Sequence, residues 1–249
     1  IPPIIDKMIR VGAKRPRGIK GVKNPVYDGY KNIDVTSGSN NKLISPITNE
    51  VAYAKELSPL KGNLKVEIDG ILYENFENAW QCQKVYREFG HAEKKNGRWV
   101  VTKKFLQWRK KWAKVKKGHR HMPGARKLKP IGAYWDGEII SYKDSREYYI
   151  NLYRKCVENL PSIRIMTEML ENGENIMILG GDGPPLKFIP KGNKMSQEEL
   201  AEHWSTFQDA WPEGAEVTPE FLAERREDVN YPYGHEYVVA NILYDKLNY

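Results

Sequence analysis

The sequence predicts a mixed α+β protein, mostly α-helical, with small β-hairpins and an inserted helical hairpin. Two Asp-Gly pairs, beginning at Asp69 and Asp136, each lie between short apolar runs, which is a strong local signal for a tight β-hairpin. Elsewhere the apolar residues recur at helical spacing, as Phe105, Trp108 and Trp112 do. With 249 residues, 40% of them hydrophobic, the chain is long enough to bury a full core.

Positive charge is concentrated in residues 103–129, here called the basic segment. It holds 12 of the 40 Lys and Arg residues and no Asp or Glu, and it accounts for the whole net charge of +8. Like charges at this density repel one another, so we expect contact with a polyanion, although a solvated face is the ordinary alternative. The residues expected to bind nucleic acid are Lys103, Lys104, Arg109, Lys110, Lys111, Lys114, Lys116, Lys117, His119, Arg120, His121, Arg126, Lys127 and Lys129.

Composition also predicts the organisation of the chain. Residues 1–32 are rich in Pro, Gly and Lys, which predicts an extended basic arm before a single domain over 33–249. Within that domain, residues 186–230 predict an inserted helical segment, because Ser196 and Thr218 are each followed by a helical pattern. A last apolar helix, 236–247, follows the turn at His235.

The stretch with the most specific pattern is residues 66–89, where a predicted hairpin leads into a predicted helix from Phe76. At helical spacing, Glu77, Gln81, Lys84 and Glu88 fall on one polar face, with Trp80 beside it. Such a face is ordinarily solvated, and its Glu and Lys spacing adds only a few tenths of a kcal/mol. The alternative is that it lines a pocket.

The string from Tyr73 to Val85 resembles the signature of the NADAR superfamily, the YbiA-like proteins. In that family a strand pair runs into a helix reading roughly Tyr-x-x-x-Glu-His-x-aromatic-Gln-x-Gln-Lys. Here the motif reads Tyr73, Glu77, Asn78, Trp80, Gln81, Gln83 and Lys84, with Asn78 in place of the usual His. Ser58-Pro59-Leu60, the Asp182 loop and the His235 turn follow the family order.

NADAR proteins are N-glycosidases, so the resemblance implies a NADAR-like fold and cleavage of a base–sugar bond. It implies that Glu77 is the principal carboxylate and that Lys84 holds phosphate or assists the leaving group. Trp80 would stack on base or sugar, and Gln81 would orient a hydroxyl. Asp182, in a Gly-rich loop after a predicted strand, is the second candidate acid, with turn capping as its alternative.

Four further residues are candidates for substrate binding. Tyr73 and Asn78 belong to the motif, Arg146 could reach a phosphate or lie on the surface, and His235 opens the last helix. Cys82 and Cys156 are too few for a disulfide scaffold or a Cys-based metal site. We find no phosphate-binding glycine loop and no metal-ligand spacing, so we expect no cofactor and no metal.

The sequence therefore leads to an N-glycosidase acting on nucleic acid, with DNA carrying a modified or ADP-ribosylated base preferred over RNA. One alternative is an N-glycosidase of a free nucleotide or phosphoribosyl metabolite, and another is a non-catalytic nucleic-acid-binding protein. No apolar run reaches the length of a membrane span, and Ile1–Ile5 is too short for a signal peptide. We expect a cytoplasmic protein without a membrane partner, and the sequence leaves its oligomeric state open.

Overall fold

A computed structural model describes residues 8–15, 19–184 and 195–248. The strands are β1 (Ile9–Ala13), β2 (Lys31–Asp34), β3 (Lys42–Ile44), β4 (Val51–Tyr53), β5 (Val66–Ile68), β6 (Ile71–Tyr73), β7 (Lys84–Val85), β8 (Ala92–Lys95), β9 (Arg98–Val101), β10 (Gly132–Trp135), β11 (Glu138–Ile140), β12 (Ile176–Gly180) and β13 (Ala215–Glu216). The helices are α1 (Phe76–Cys82), α2 (Lys103–Ala113), α3 (Tyr142–Val157), α4 (Pro161–Glu171), α5 (Gln197–Ala210), α6 (Pro219–Glu227) and α7 (His235–Leu247).

The fold is mixed α+β, as predicted, with helix (38%) exceeding strand (20%) without forming most of the chain. The chain divides into two compact units. One unit is continuous in sequence, Ser58–Val157, and is called the inserted unit. The other, called the discontinuous unit, comprises Ile1–Leu57 and Glu158–Tyr249. Residues 33–249, predicted to form one domain, are thus shared between two units.

The discontinuous unit contains a four-stranded sheet of order β13-β1-β12-β2. Strands β1, β12 and β2 are parallel, and β13 pairs antiparallel with β1. All five residues of β12 are buried, because neighbouring strands pair with both of its edges and α7 packs against the sheet. This strand and the helices α5 and α6, capped by Ser196 and Thr218, confirm their sequence predictions.

The extended basic arm predicted for residues 1–32 is wrong for its central part. Ile9, Val11 and Ala13 alternate with small or long residues and are buried in a central strand of the sheet. Gly12 permits this packing, since a Cβ there would lie 2.9 Å from the ring of Tyr27. Residues 1–7 and 16–18 of the predicted arm lie outside the described residues, as do residues 186–194 of the predicted helical insertion.

The inserted unit is built from three short hairpin pairs and the helices α1, α2 and α3. The predicted turns are confirmed, because Asp69 and Asp136 have positive φ angles of 53° and 52° and each precedes a glycine of the same kind. A third hairpin, β8–β9, has Asn96 and Gly97 at the corresponding positions. β10 also pairs with β7, which gives a three-stranded sheet of order β11-β10-β7.

The helix predicted from Phe76 to Phe89 ends at Cys82. Backbone pairing explains the early end, because Lys84 pairs with Ala133 and Val85 pairs with Gly132 in the neighbouring strand. Gln83, at the junction, is fully buried, and its side-chain amide donates to the Ala79 carbonyl at 2.9 Å. Tertiary strand pairing thus outweighs a local helical pattern.

Candidate functional site

The helix α1 presents Glu77 in its first turn, where the helix dipole favours a negative charge. Glu77 is half-buried, and the Gln81 side-chain amide donates a hydrogen bond to its Oε1 at 3.0 Å. The backbone N–H of Glu77 donates to the Pro59 carbonyl at 3.0 Å, which joins the Ser58-Pro59-Leu60 turn to the start of the helix. Glu77 and Gln81 therefore form one polar pair, as the helical spacing predicted.

Lys84 reaches this pair from a strand rather than from the helix. It is half-buried in β7, and burial lowers the pKa of its ammonium group while the negative charge of Glu77 acts in the opposite direction. The two groups are therefore within electrostatic reach of each other. The predicted single helical face is wrong for Lys84 and for Glu88, which is exposed in a 3₁₀ turn (Arg87–Phe89).

Trp80 forms part of an aromatic wall next to Glu77 along α1. Its ring meets the edge of Tyr149, with centroids 5.0 Å apart, and lies 6.1 Å from the ring of Trp135. Trp135 in turn stacks on Tyr148 at 4.9 Å with an interplanar angle of 11°. Because Trp80 is only half-buried, part of its indole remains accessible for stacking on a ligand.

Two predicted substrate-binding residues instead belong to the core. Tyr73 is fully buried, and its hydroxyl accepts a hydrogen bond from the Gln83 amide at 3.1 Å. Burial raises the pKa of Tyr73 to about 12. Arg146 is also buried, with its guanidinium 5.6 Å from the centre of the Tyr142 ring. Tyr73 is therefore a core residue that is hydrogen-bonded to Gln83, next to Lys84 in the chain. Arg146 is buried rather than on the surface.

Asn78 was predicted to bind substrate, but its side-chain amide is hydrogen-bonded to the backbone of the basic segment. It is fully buried, and its Nδ2 donates to the carbonyls of Val115 (3.2 Å) and Lys117 (2.8 Å). Its Oδ1 accepts from the backbone N–H of His119 at 2.8 Å. Both amide hydrogens of Asn78 and its oxygen are thus engaged in holding the backbone of residues 115–119 rather than a ligand.

Asn75 makes a second set of contacts to the same loop. Its Oδ1 caps α1 through the N–H of Asn78, while its Nδ2 donates to Leu60 at 2.9 Å and to Lys116 at 3.4 Å. A Cβ on Gly118 would lie 2.5 Å from the Leu60 carbonyl, so only glycine permits this approach. We call Asn75 and Asn78 the asparagine clamp, because they fix the loop 114–119 to the helix that carries Glu77.

Most of the predicted nucleic-acid contacts in the basic segment are exposed. The exposed set comprises Lys103, Lys104, Lys110, Lys111, Lys114, Lys116, Lys117, Arg120, His121, Arg126, Lys127 and Lys129. His119 is half-buried against Trp112. The first turn of α2 carries Lys103 and Lys104 and no acid, an arrangement that the helix dipole disfavours and that an anion would relieve.

Arg109 is the exception, and its assignment to nucleic-acid binding is wrong. Its side chain is 3% exposed and lies against the rings of Phe105 and Tyr134. The guanidinium donates to Asp69 at 2.8 Å and to the Gln83 amide oxygen at 2.9 Å. Arg109 follows Phe105 by four positions and therefore lies on the same buried face of α2. A count of basic residues does not take this position on the helix into account.

Asp182 and His235 lie in the discontinuous unit, where they flank a buried acid that the sequence analysis missed. The backbone N–H of Asp182 donates to Glu236 Oε1 at 2.8 Å, and the Asp182 carbonyl accepts from the Tyr237 hydroxyl at 2.5 Å. His235 Nε2 donates to the Val35 carbonyl at 2.7 Å. Glu236 is 1% exposed, and burial raises the pKa of its carboxyl group to about 7.

This group lies where the parallel strands β1, β12 and β2 end, the edge at which open α/β sheets bind ligands. Lys14, just past β1, contacts Asp34 at 2.7 Å and Thr36 at 2.8 Å. Glu236 was missed because an acid in the first turn of a helix is ordinary in sequence, and only the sheet contact makes it buried. Lys14 and Asp34 were missed because the sequence analysis did not predict that β1 and β2 lie in the same sheet, where both pair with β12.

Over the described residues, no group of three or more His, Cys, Asp or Glu side chains is arranged to hold a metal ion. None of the helices in the described part of the chain is both long enough and apolar enough to cross a membrane. Comparisons with protein-family models, with curated proteins and with solved structures found no match. What the inserted unit does is therefore inferred from the chemistry of its own residues.

Proposed function

We propose that the protein is an N-glycosidase of NADAR type that cleaves a base–sugar bond in DNA carrying a modified or ADP-ribosylated base. The observation that carries the proposal is a half-buried carboxylate, Glu77, within electrostatic reach of a half-buried amine, Lys84, beside the half-buried ring of Trp80. The resemblance of residues 73–84 to the NADAR signature supplies the reaction class.

In this reaction the bond between C1′ and the base nitrogen breaks, and the base leaves with the electron pair of that bond. The sugar passes through an oxocarbenium-like state, which a carboxylate stabilises. Water then adds its oxygen to C1′, and the same carboxylate accepts the proton that the water loses. Glu77 has the position and charge for this role. The Lys84 ammonium can donate a proton to the departing base, and its lowered pKa favours that transfer.

Nucleic acid is favoured over a free nucleotide by the asparagine clamp. The loop 114–119 bears three exposed lysines, Lys114, Lys116 and Lys117. Its backbone is hydrogen-bonded to Asn75 and Asn78 at the start of α1. Phosphates bound by this loop would therefore hold a defined position relative to Glu77. A small metabolite has few phosphates and would leave most of the 12 exposed basic-segment residues without a role.

The test compares Glu77→Gln with the wild type on DNAs bearing different modified bases, with released base identified by mass spectrometry. We expect the change to lower the rate by about 10²- to 10⁴-fold without loss of DNA binding. Glu88→Gln is the matched control, because Glu88 is an exposed acid in the neighbouring 3₁₀ turn, and we expect it to leave the rate unchanged.

Three other outcomes separate the alternatives. Undiminished base release by Glu77→Gln would refute the assigned role of Glu77. Release from free nucleotides with weak, salt-insensitive DNA binding would favour the metabolite enzyme. Tight DNA binding with no release from any substrate, before and after the change, would favour a binding protein without catalytic activity.

A further inference from the structure

The hairpin β8–β9, here called the ribbon, has a tip that is exposed to solvent. Residues 93–98 are all exposed, so the tip buries little side-chain surface on either face. Its turn residues, Asn96 and Gly97, have φ angles of 50° and 76°, which gives a tight turn with a defined register. An isolated two-stranded hairpin is marginally stable in water, so an exposed tip needs a separate explanation.

The charges at the tip oppose folding of the free ribbon. Lys95 and Arg98 are directly opposite each other in the ladder, and like charges in this position are destabilising. The compensating contact is weak, because Glu93 lies 3.5 Å from Lys95 with both side chains largely exposed. An anion placed between Lys95 and Arg98 would remove this repulsion.

The base of the ribbon, in contrast, is anchored to the rest of the unit. Thr102 follows β9, its N–H donates to the His91 carbonyl at 2.9 Å, and its hydroxyl donates to the Gly90 carbonyl at 2.6 Å. The same Thr102 caps α2, whose first turn carries Lys103 and Lys104. The ribbon and the basic segment are therefore joined by a single capping residue and form one continuous basic element.

We infer that the ribbon is a groove-binding element for duplex DNA, inserted into the major groove while the basic segment contacts the flanking phosphates. A two-stranded ribbon has the width that the major groove accepts, and its tip bears cations on both strands. Lys94, whose ammonium lies 5.3 Å from the Trp99 ring, adds a third cation on the other face. The inference rests on the proposed function, and it narrows the substrate from DNA of either form to duplex DNA.

The test measures binding of the full chain to a short fluorescent duplex and to one of its strands, over a range of salt concentrations. The double variant Lys95→Gln with Arg98→Gln should lose about tenfold or more in duplex affinity and lower the salt slope by about 2. We expect single-strand affinity to change less than about twofold, because the ribbon is assigned to the duplex groove.

The matched control is the double variant Lys61→Gln with Lys155→Gln, which removes two exposed cations elsewhere in the same unit. We expect it to leave the preference for duplex unchanged. The ribbon variant should also melt at or above the wild-type temperature, because it removes a like-charge pair. Greater stability with weaker duplex binding would distinguish a binding role from a structural one.

Groove entry has a separate measurement, the protection of guanine N7 atoms from methylation, since N7 faces the major groove. Wild type should protect guanines in the bound duplex, and the ribbon variant should not. Unchanged duplex affinity in the variant, or absence of protection with wild type, would overturn the inference. Salt-sensitive binding to polyglutamate with no binding to DNA would instead identify an acidic protein as the partner.

The two proposals fail in different ways. Duplex binding that depends on the ribbon, without base release from any substrate, would refute the glycosidase and leave the ribbon assignment standing. Base release from single strands, unaffected by the ribbon variant, would leave the glycosidase standing and refute the ribbon assignment.

Discussion

The inserted unit holds 23 Lys and Arg residues against 10 Asp and Glu, whereas the discontinuous unit holds 17 against 22. Their net charges of +13 and −5 therefore have opposite signs, although the whole chain is only moderately basic. Among the described residues the buried ionisable groups do not follow this contrast. The inserted unit buries Arg109, Arg146 and His91, and the discontinuous unit buries Arg225 and Glu236. The excess of positive charge thus belongs to one unit rather than to the chain as a whole.

The two units also differ in what their polar side chains contact. In the inserted unit the exposed cations lie on a helix, a loop and a ribbon that are fixed to one another by Thr102 and the asparagine clamp. In the discontinuous unit the described polar side chains at the sheet edge mostly contact one another, as Lys14 does with Asp34. Among the described residues, we therefore propose the exposed cations of the inserted unit as the ones that bind a polyanion.

The largest effect on stability is expected for Asp69→Asn, which leaves the buried Arg109 cation without its carboxylate. Asn tolerates the positive φ of this turn, so the hairpin should persist. We expect a loss of about 3 to 4 kcal/mol in the free energy of unfolding, measured by chemical denaturation. Asp136→Asn, at the equivalent turn position of β10–β11, is the control and should cost less than about 1 kcal/mol. Equal losses would show that the turn, rather than the buried cation, is responsible.

A second prediction concerns Glu236 and neutral pH. The pKa of its carboxyl group in the folded state, about 7, lies above the ordinary value of 4.5. Between these two pH values the folded state therefore keeps a proton that the unfolded state has lost. Stability of the discontinuous unit should therefore fall by about 3 kcal/mol as pH rises from 4.5 to 7, measured by hydrogen exchange in β12. Glu236→Gln should abolish this dependence. Glu220→Gln, an exposed acid in the first turn of α6, should preserve it.

His91 should give the inserted unit the opposite dependence. It is 2% exposed among aromatic rings, including Trp108 at 4.6 Å, and burial lowers the pKa of its imidazole to about 4. Between pH 6.5 and 4 the unfolded state binds a proton that the folded state does not, so stability falls as pH falls, by about 3 kcal/mol. Hydrogen exchange in α2 should report this loss. A His91→Gln variant that retained the same pH dependence would contradict the assignment.

The smallest expected effect is on the salt dependence of DNA binding, and it is tested by replacing basic residues in each of the two units. Replacing Lys110 and Lys114 with Gln should lower the salt slope of DNA binding by about 2, because each phosphate contact contributes about 0.9. Replacing Lys20 and Lys23, which are exposed in the predicted arm, should leave the slope unchanged. Equal effects of the two double variants would show that both units bind DNA and would remove the distinction drawn above.

Local patterns predicted the turns at Asp69 and Asp136, the buried strand β12 and the capped helices after Ser196 and Thr218. These features depend on a few neighbouring residues. The failures depend on contacts distant in sequence, since β1 is recognisable only beside β12 and α1 is cut short by β10.

At the candidate site, the motif correctly placed Glu77 and Gln81 together on one helix. It did not predict that Asn78 is used to hold a loop 37 to 41 positions away, because side-chain hydrogen bonds to distant backbone leave no periodic signal. For the same reason, the burial of Glu236 emerged only from its tertiary partners. The proposed glycosidase activity stays a prediction that the variants described above test.

The central position of β1 has a consequence for synthesis of the chain. The partners of this strand are residues 176–180 and 215–216, so its two edges stay unpaired until those segments have left the ribosome. Residues 58–157 form a compact unit of their own and can fold earlier, while β1 is still without its partner strands. A nascent chain arrested between these stages would carry a folded basic unit beside an exposed apolar strand, the species most dependent on a chaperone.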